Sequence, residues 1–358
     1  MTPSRLPDSK FWKNKRVLVT GHTGFKGAWL ALWLVELGAN VTGISLPPAS
    51  APNLFESLGL QEKITSLTCD IRDNAAIQAA IHKADPEIVL HLAAQALVLS
   101  SYENPQETFE VNVIGTLNVL AALRQSSSFR ACVVVTSDKV YRNLGAGKAF
   151  TENDELGGFD PYSASKAACE IAVASFRASY FATGGAIATA RAGNVIGGGD
   201  WAANRIIPDA IRAWNNNEAL VIRNPHSIRP WQHVLEPLAG YLVLAESLWH
   251  NRAYAQAYNL GPHADDCVSV GQLINLAQEK YKTGKTQFPT PQSAPHEAAV
   301  LMLNADLAAK EFNIKPRWHL QTTVAKTMDW YRHFYEGQNA IDLCLADIAA
   351  YEKSNVTL

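Results

Sequence analysis

The 358-residue chain lacks most features that would place it outside the ordinary globular enzymes. Its five cysteines, Cys69, Cys132, Cys169, Cys267 and Cys344, are odd in number, widely spaced and contain no CxxC pair. That argues against a disulfide framework or a zinc site, so no metal is expected and reduced thiols in the cytoplasm are. No apolar run is long enough to span a bilayer; 28–35 is too short and ends at Glu36. Residues 1–15 are polar and basic, unlike a secretory signal. A net charge of −2 gives no global reason to expect nucleic acid or a membrane surface as partner. Lysine is also absent between Lys166 and Lys280, where apart from histidine every basic residue is an arginine.

The first half alternates apolar, β-rich runs with helical stretches. Strands are expected at Arg16–Thr20, Asn40–Ser45, 66–69, 87–92, 131–137 and 186–191. Most are continuous rather than alternating apolar runs, which suits strands buried on both faces of a parallel sheet. The spacing predicts an α/β, doubly wound, mostly parallel Rossmann sheet with a smaller, mixed C-terminal substrate lobe. The boundaries read as 1–194 for the dinucleotide-binding domain with a returning segment at about 232–262, and 195–231 plus 263–358 for the lobe. Gly197-Gly198-Gly199 reads as a flexible link, followed by helices at 204–214 and 235–249 and a Pro- and Thr-rich loop near 286–295.

Two motifs carry chemistry. Gly21-His22-Thr23-Gly24-Phe25-Lys26-Gly27 follows the first strand and opens a helix ending before Gly38. Such glycines let a backbone turn tightly against a pyrophosphate, which then sits on helix N–H groups. Ser45 and Leu46 stand where an acidic ribose ligand is usual, and 42–53 holds no Arg or Lys for an extra phosphate, so NAD is expected rather than NADP. Asp70 and Ile71 either flank the adenine or, for Asp70, cap the helix at 74–84. The second motif is Asp160-Pro161-Tyr162-Ser163-Ala164-Ser165-Lys166, with Asp160 as N-cap and Pro161 at the first helical position. Tyr162 and Lys166 then share a helix face. A lysine ammonium beside the phenol is expected to lower its pKa, and a phenolate can take a proton from an alcohol while a nicotinamide takes the hydride.

Together, TGHTGFKG and YSASK resemble the extended short-chain dehydrogenase/reductase family over roughly 13–337. The resemblance implies that Leu92, Ala93 and Ala94 line the dinucleotide with Gly21, Thr23, Gly24, Phe25, Gly27, Thr136, Tyr162 and Lys166. It places Asn112 on the central helix and makes Ser137 the third catalytic hydroxyl. Asp138 and Lys139 follow, where simple epimerases carry small or neutral residues. They are either a solvated pair or an extra acid and base. The strip Ser-Asp-Lys resembles the cytidine-type branch of the sugar nucleotide 4,6-dehydratases, which implies Lys139 as base and Asp138 as acid for loss of water from a CDP-sugar. Such an acid must be held neutral by desolvation, and such a base must be uncharged.

The resemblance also implies a substrate set of Gln95, Asn194, Arg205 and Arg229, the last two as arginine clamps for diphosphate oxygens. Arg212 and Arg223 read as surface arginines, and Trp201 and Trp231 as either packing or base stacking. A basic residue common in the family after AAQxLV is replaced by Leu99. The implied assembly is a homodimer or dimer of dimers through helices at 107–123 and 162–181. The remaining alternatives are a 4-epimerase, a dehydratase of another nucleotide sugar and a non-catalytic NAD-binding scaffold.

Overall fold

A computed structural model describes residues 4–145, 147–222, 224–288 and 300–354. Seven strands form the central sheet: β1 Arg16–Thr20, β2 Asn40–Ser45, β3 Thr65–Thr68, β4 Ile88–His91, β5 Ala131–Val135, β6 Ala186–Ala192 and β7 Ala257–Leu260. Their order is β7-β6-β5-β4-β1-β2-β3, and every pairing is parallel. The chain therefore moves outward from β1 to β3, then returns to β4 and moves the other way. The crevice beyond the β1 and β4 carboxyl ends is the reversal point where such sheets take ligands.

The continuous apolar strands are explained by the two faces. Val17, Val19, Leu90, Val133 and Ala188 point to helices α1 (Phe25–Glu36) and α5 (Leu235–His250). Their neighbours Leu18, Val89, Cys132, Val134 and Ile187 point the other way. There they meet α2 (Asn74–Ala84), α3 (Thr116–Leu123) and α4 (Pro161–Tyr180). Alternation places each set on one face, and burial of both faces removes the polar half of the pattern. Edge strand β3 is the exception and is mostly exposed.

The smaller sheets are two-stranded. Ala219–Val221 pairs with Lys285–Gln287, and Ile228–Pro230 with Cys267–Ser269. C-terminal helices Val270–Tyr281, Leu320–Tyr335 and Ala340–Lys353 pack into the same apolar cluster as α1 and α5. Among the described residues no helix is long and apolar enough to cross a membrane.

Several local expectations change. Gly197–Gly199 is buried and closely packed rather than a flexible link. A β-carbon on Gly198 would lie 2.0 Å from the Trp330 ring, and Gly199 has φ +80° against Leu54. Glycine is needed there for close approach and for the left-handed turn. The helix expected from 204 is Ile206–Asn215, because Asn204 is left-handed at φ 62°. The fifth strand stops at Val135, and Ser137 caps a 3-10 turn at Asp138–Val140. Of the loop expected at 286–295, Lys285–Gln287 is strand; residues 289–295 and Arg223 lie outside the described residues.

Candidate active site

A cleft of roughly 700 Å³ opens at the carboxyl ends of β1, β4 and β5. Its walls hold Gly21, Thr23, Gly24, Phe25 and Gly27 from the first loop, Asp70 and Ile71 after β3, and Leu92, Ala93 and Ala94 after β4. Thr136, Ser137, Asp138, Lys139, Tyr162 and Lys166 line the same cleft, as do Asn194 just after β6 and Arg205 and Arg229 from the lobe side.

The glycine loop is built for close backbone approach. Gly21 sits at φ +77°, and a β-carbon there would lie 2.8 Å from the Ala93 nitrogen. A β-carbon on Gly27 would lie 2.1 Å from the Gly21 carbonyl oxygen. Gly24 is the N-cap of α1, so the free N–H groups of that helix face the cleft mouth. The Thr23 and Ser45 hydroxyls are 2.7 Å apart, and Thr23 also donates to the Leu46 carbonyl at 2.9 Å. His22 fills the space over Gly43, where a β-carbon would meet its ring at 2.3 Å, and bonds the Ser66 hydroxyl at 2.7 Å.

Asp70 is not the cap of α2. Asp73 caps it, accepting from the Ala76 N–H at 3.0 Å. Asp70 instead holds Arg72 through both carboxylate oxygens, and that guanidinium keeps its carboxyl below the usual range. Ile71 lines the cleft while packing so tightly on Gly115 that a β-carbon there would come within 2.5 Å of it. Asn112 lies in a π-helical turn, Glu110–Gly115. Its amide clasps both backbone groups of Gln95, at 2.9 and 3.0 Å, and donates to the Ser165 hydroxyl at 2.9 Å. This ties the loop after β4 to α4. Gln95 itself departs from expectation. Its side chain is committed to Leu97 and the Thr108 hydroxyl, and it does not line the cleft.

Helix α4 starts as its sequence dictates. Asp160 accepts from the Ser163 N–H at 2.9 Å, and Pro161 occupies the first turn. Tyr162 and Lys166 are both buried beneath the cleft, and the Lys166 ammonium donates to the Val135 carbonyl at 3.2 Å. The expected lowering of the Tyr162 pKa by Lys166 is not found. Burial pushes Tyr162 up to about 12, and the Ser137 hydrogen bond is the largest effect opposing it. Lys166 is itself lowered by burial. The physical reason is desolvation, which outweighs the neighbouring charges.

Asp138 is 3% exposed, so it is not a solvated surface group. One carboxylate oxygen accepts from the Ser137 hydroxyl at 3.0 Å; the other is buried without a hydrogen-bond partner. Burial pushes its pKa up, against the pull of Lys139, Arg229 and Lys26. A buried carboxyl with one unmatched oxygen is therefore biased to keep its proton.

On the lobe side, Arg205 is held by Asp200 at 3.2 Å, and Arg229 is buried with one N–H on the Ile228 carbonyl at 2.8 Å. Arg212 is more than a surface arginine: it donates to the Trp201 and Ala202 carbonyls and pairs with Asp209, closing the turn before Ile206. Trp201 is packing, against Trp330, Tyr331 and Phe334. Trp231 is buried but reaches the cleft wall, and its N–H donates to the Val268 carbonyl at 3.1 Å. Among the described residues no cluster of three His, Cys, Asp or Glu could hold a metal.

Sequence reasoning missed Lys26. It lies between Phe25 and Gly27 and lines the cleft. Burial, with the Arg205 and Lys166 charges, brings its pKa down to about 7. Its signal was a charge in the first turn of an otherwise apolar helix.

Comparison with known proteins agrees with this architecture. A family model described as GDP-mannose 4,6 dehydratase matches residues 18–327. A CDP-glucose 4,6-dehydratase of Salmonella typhimurium is 42% identical over 351 residues, covering 96% of this chain and 98% of the relative. A dTDP-glucose 4,6-dehydratase of Xanthomonas campestris is 28% identical, covering 88% and 92%. Among solved structures, an epimerase of Methanothermobacter thermautotrophicus superimposes with a TM-score of 0.81 at 23% identity, covering 92% of this chain and 95% of that one. A dTDP-glucose 4,6-dehydratase of Bacillus anthracis, solved with NAD, gives 0.76 at 20% identity, covering 89% and 97%. With the family model spanning most of the sheet and lobe, the chain belongs to the GDP-mannose 4,6 dehydratase family.

Proposed function

We propose that this chain is an NAD-dependent lyase that converts CDP-D-glucose to CDP-4-keto-6-deoxy-D-glucose. The observation that carries the reading is the buried Asp138 beside Ser137 and Lys139, in the same cleft as Tyr162 and Lys166. An epimerase needs only a hydride acceptor and one proton acceptor, whereas loss of water needs a further acid and base. The 42% identical relative carries the same activity in its name.

The glycine cradle fits a dinucleotide, since a β-carbon on either Gly21 or Gly27 would collide with backbone atoms of the loops that form it. Gly21, Thr23, Gly24, Phe25, Gly27, Asp70, Ile71, Leu92, Ala93, Ala94 and Thr136 are the holding set. NAD rather than NADP is favoured by Ser45, whose neighbourhood 42–53 has no cation for a 2′-phosphate. When bound, the nicotinamide supplies the hydride acceptor at carbon 4 and the donor for carbon 6.

The chain's own residues do the rest. For this step Tyr162 must be ionised, which the Ser137 hydrogen bond and the Arg205 charge favour against burial, and its phenolate oxygen then takes the proton of the sugar 4-hydroxyl. Lys166 lies beneath the site with its Nζ donating to the Val135 carbonyl. The carbon-4 ketone acidifies the proton on carbon 5, which Lys139 removes and later gives back to carbon 5 when carbon 6 has received its hydride. Asp138, kept neutral by burial, protonates the departing 6-hydroxyl. Arg205, Arg229 and Asn194 hold the diphosphate and turn the sugar toward this strip.

The same proposal includes three wider features. The chain divides as 1–194 with 232–262, against 195–231 with 263–358. It forms a homodimer through the helices around 105–123 and 161–180, which expose Phe109, Ile114, Ile171 and Tyr180. It works in the cytoplasm, in keeping with five free thiols. The test is to incubate the protein with NAD and, separately, CDP-, dTDP-, UDP- and GDP-glucose and follow the sugar by NMR. A 4-keto-6-deoxy product from the CDP-sugar is expected. Inversion at carbon 4 with the 6-hydroxyl kept would mean an epimerase, and no turnover of any would favour a scaffold.

A further inference from the structure

Behind the cleft lies a second group of buried polar residues that the proposed chemistry does not use. Glu170 follows Lys166 by one turn of α4 and is 3% exposed. One of its oxygens accepts from the Thr136 hydroxyl at 2.5 Å; the other accepts from the Thr189 hydroxyl at 2.8 Å and the Arg191 guanidinium at 2.9 Å. Arg191, equally buried, donates onward to the Tyr141 hydroxyl at 2.8 Å and the Glu152 carbonyl at 3.1 Å. The Tyr141 hydroxyl then donates to the Asn259 amide oxygen at 2.6 Å, on edge strand β7. The Tyr141 ring stacks flat on Phe150 at 4.9 Å.

Thr136 and Tyr141 are the two ends of the strip that carries Ser137, Asp138 and Lys139. One ion pair thus grips that strip at both ends, and its acid belongs to the helix that bears Tyr162 and Lys166. We propose that Glu170 and Arg191 are positioning residues that set the Asp138–Lys139 strip against Tyr162 and Lys166, with Thr136 and Tyr141 as the two points of grip. A buried ion pair contributes little net stability compared with apolar packing, so specific geometry is the better reason for this one. Buried hydrogen-bond networks rigidify what they hold, and here both terminal nitrogens of Arg191 are engaged while its Nε alone has no partner. Along the chain Tyr141 stands two residues after Lys139, whereas Thr136 immediately precedes Ser137. The two ends therefore serve different halves of the reaction.

This inference rests on the half-reaction roles proposed above. Its test uses Tyr141→Phe and Thr136→Val, which keep ring and volume and remove one hydroxyl each. Glu170→Gln would strand the buried Arg191 charge and is a poorer variant. Single-turnover reactions of CDP-glucose with NAD-loaded protein are quenched, and carbon-4 oxidation and carbon-6 deoxygenation are read separately by NMR. A misplacement near 1 Å costs on the order of 100-fold in rate. Tyr141→Phe should therefore slow deoxygenation at least about tenfold more than oxidation, and Thr136→Val should do the reverse. Amide exchange in the free protein should quicken across 137–141 in both variants while the middle of α4 is unchanged. Equal slowing of both stages, or no slowing with unchanged exchange, would overturn the positioning role. A wild-type protein that makes no product would instead overturn the proposed function, and the exchange result would still decide whether the grip exists.

Discussion

Gly27→Ala is expected to cripple cofactor binding while the fold survives. A β-carbon at this position would lie 2.1 Å from the Gly21 carbonyl oxygen and 2.8 Å from the Gly21 carbonyl carbon and the His22 α-carbon. All three are backbone atoms, so no rotamer change relieves the overlap. Ordinary contact begins near 3.4 Å, so the loop and the start of α1 must separate by about 1.3 Å. Such overpacking costs ~1–3 kcal/mol of stability. The same shift draws loop N–H groups away from a bound pyrophosphate. Two charge-assisted hydrogen bonds lost at ~1.5 kcal/mol each amount to about 100-fold in Kd. The assay is calorimetric titration with NAD, beside Gly59→Ala as a control. Gly59 is also left-handed, at φ +60°, but a β-carbon there meets nothing within 4 Å. The control should lose stability and keep its affinity. If Gly27→Ala binds NAD within about threefold of wild type, the close approach of α1 to the loop is not what makes the cofactor site.

Other perturbations separate the roles within the cleft. Asp138→Asn keeps a neutral, hydrogen-bonding group but has no acidic proton. It should lower deoxygenation by roughly 10²–10⁴-fold while carbon-4 oxidation persists; an unimpaired yield of deoxy product would remove Asp138 as the acid. Lys139→Ala should likewise stop exchange of the carbon-5 hydrogen with solvent, and full elimination by that variant would remove Lys139 from the scheme. Arg205→Ala should raise the KM for the nucleotide sugar by about tenfold or more, the worth of a charge-assisted bond, and leave NAD affinity unchanged; a shift in NAD affinity alone would reassign it. Glu236 provides a stability test. Burial pushes its pKa from 4.5 up to about 7, so between those values the folded protein binds more protons than the unfolded chain. Its contribution is present below pH 4.5 and is lost as pH rises through about 7, amounting to ~3 kcal/mol. Glu236→Gln should flatten that part of the urea-unfolding profile, and an unchanged slope would point elsewhere.

Much of this architecture was legible in the residues because it depends on local signals. Runs such as RVLVT and ACVVV declare strands covered on both faces, and Asp160-Pro161 declares a helix start. The glycine spacing after β1 required only a strand before it and a helix after it. What was hidden depends on neighbours far away in the chain. Gly197–Gly199 looks like a linker until Trp330 and Leu54 are placed against it. Asp70 looks like a helix cap until Arg72 turns back onto it. Tyr162 looks activated by Lys166 in a helical projection, yet burial controls both groups. Gln95 looks like a substrate ligand until Thr108 and Leu97 take its amide. Lys26 lies inside the glycine motif without being one of its glycines, and the Glu170–Arg191 pair carries no motif at all. Their meaning comes from the cleft and from the strip between Thr136 and Tyr141.

An internal redox reaction requires that the hydrogen removed from carbon 4 be the one delivered to carbon 6. CDP-glucose carrying deuterium at carbon 4 tests it directly. After turnover with unlabelled NAD, 4-keto-6-deoxy product carrying that deuterium on carbon 6 is expected. Deuterium retained at carbon 4 of an inverted sugar, or lost from the sugar altogether, would contradict it.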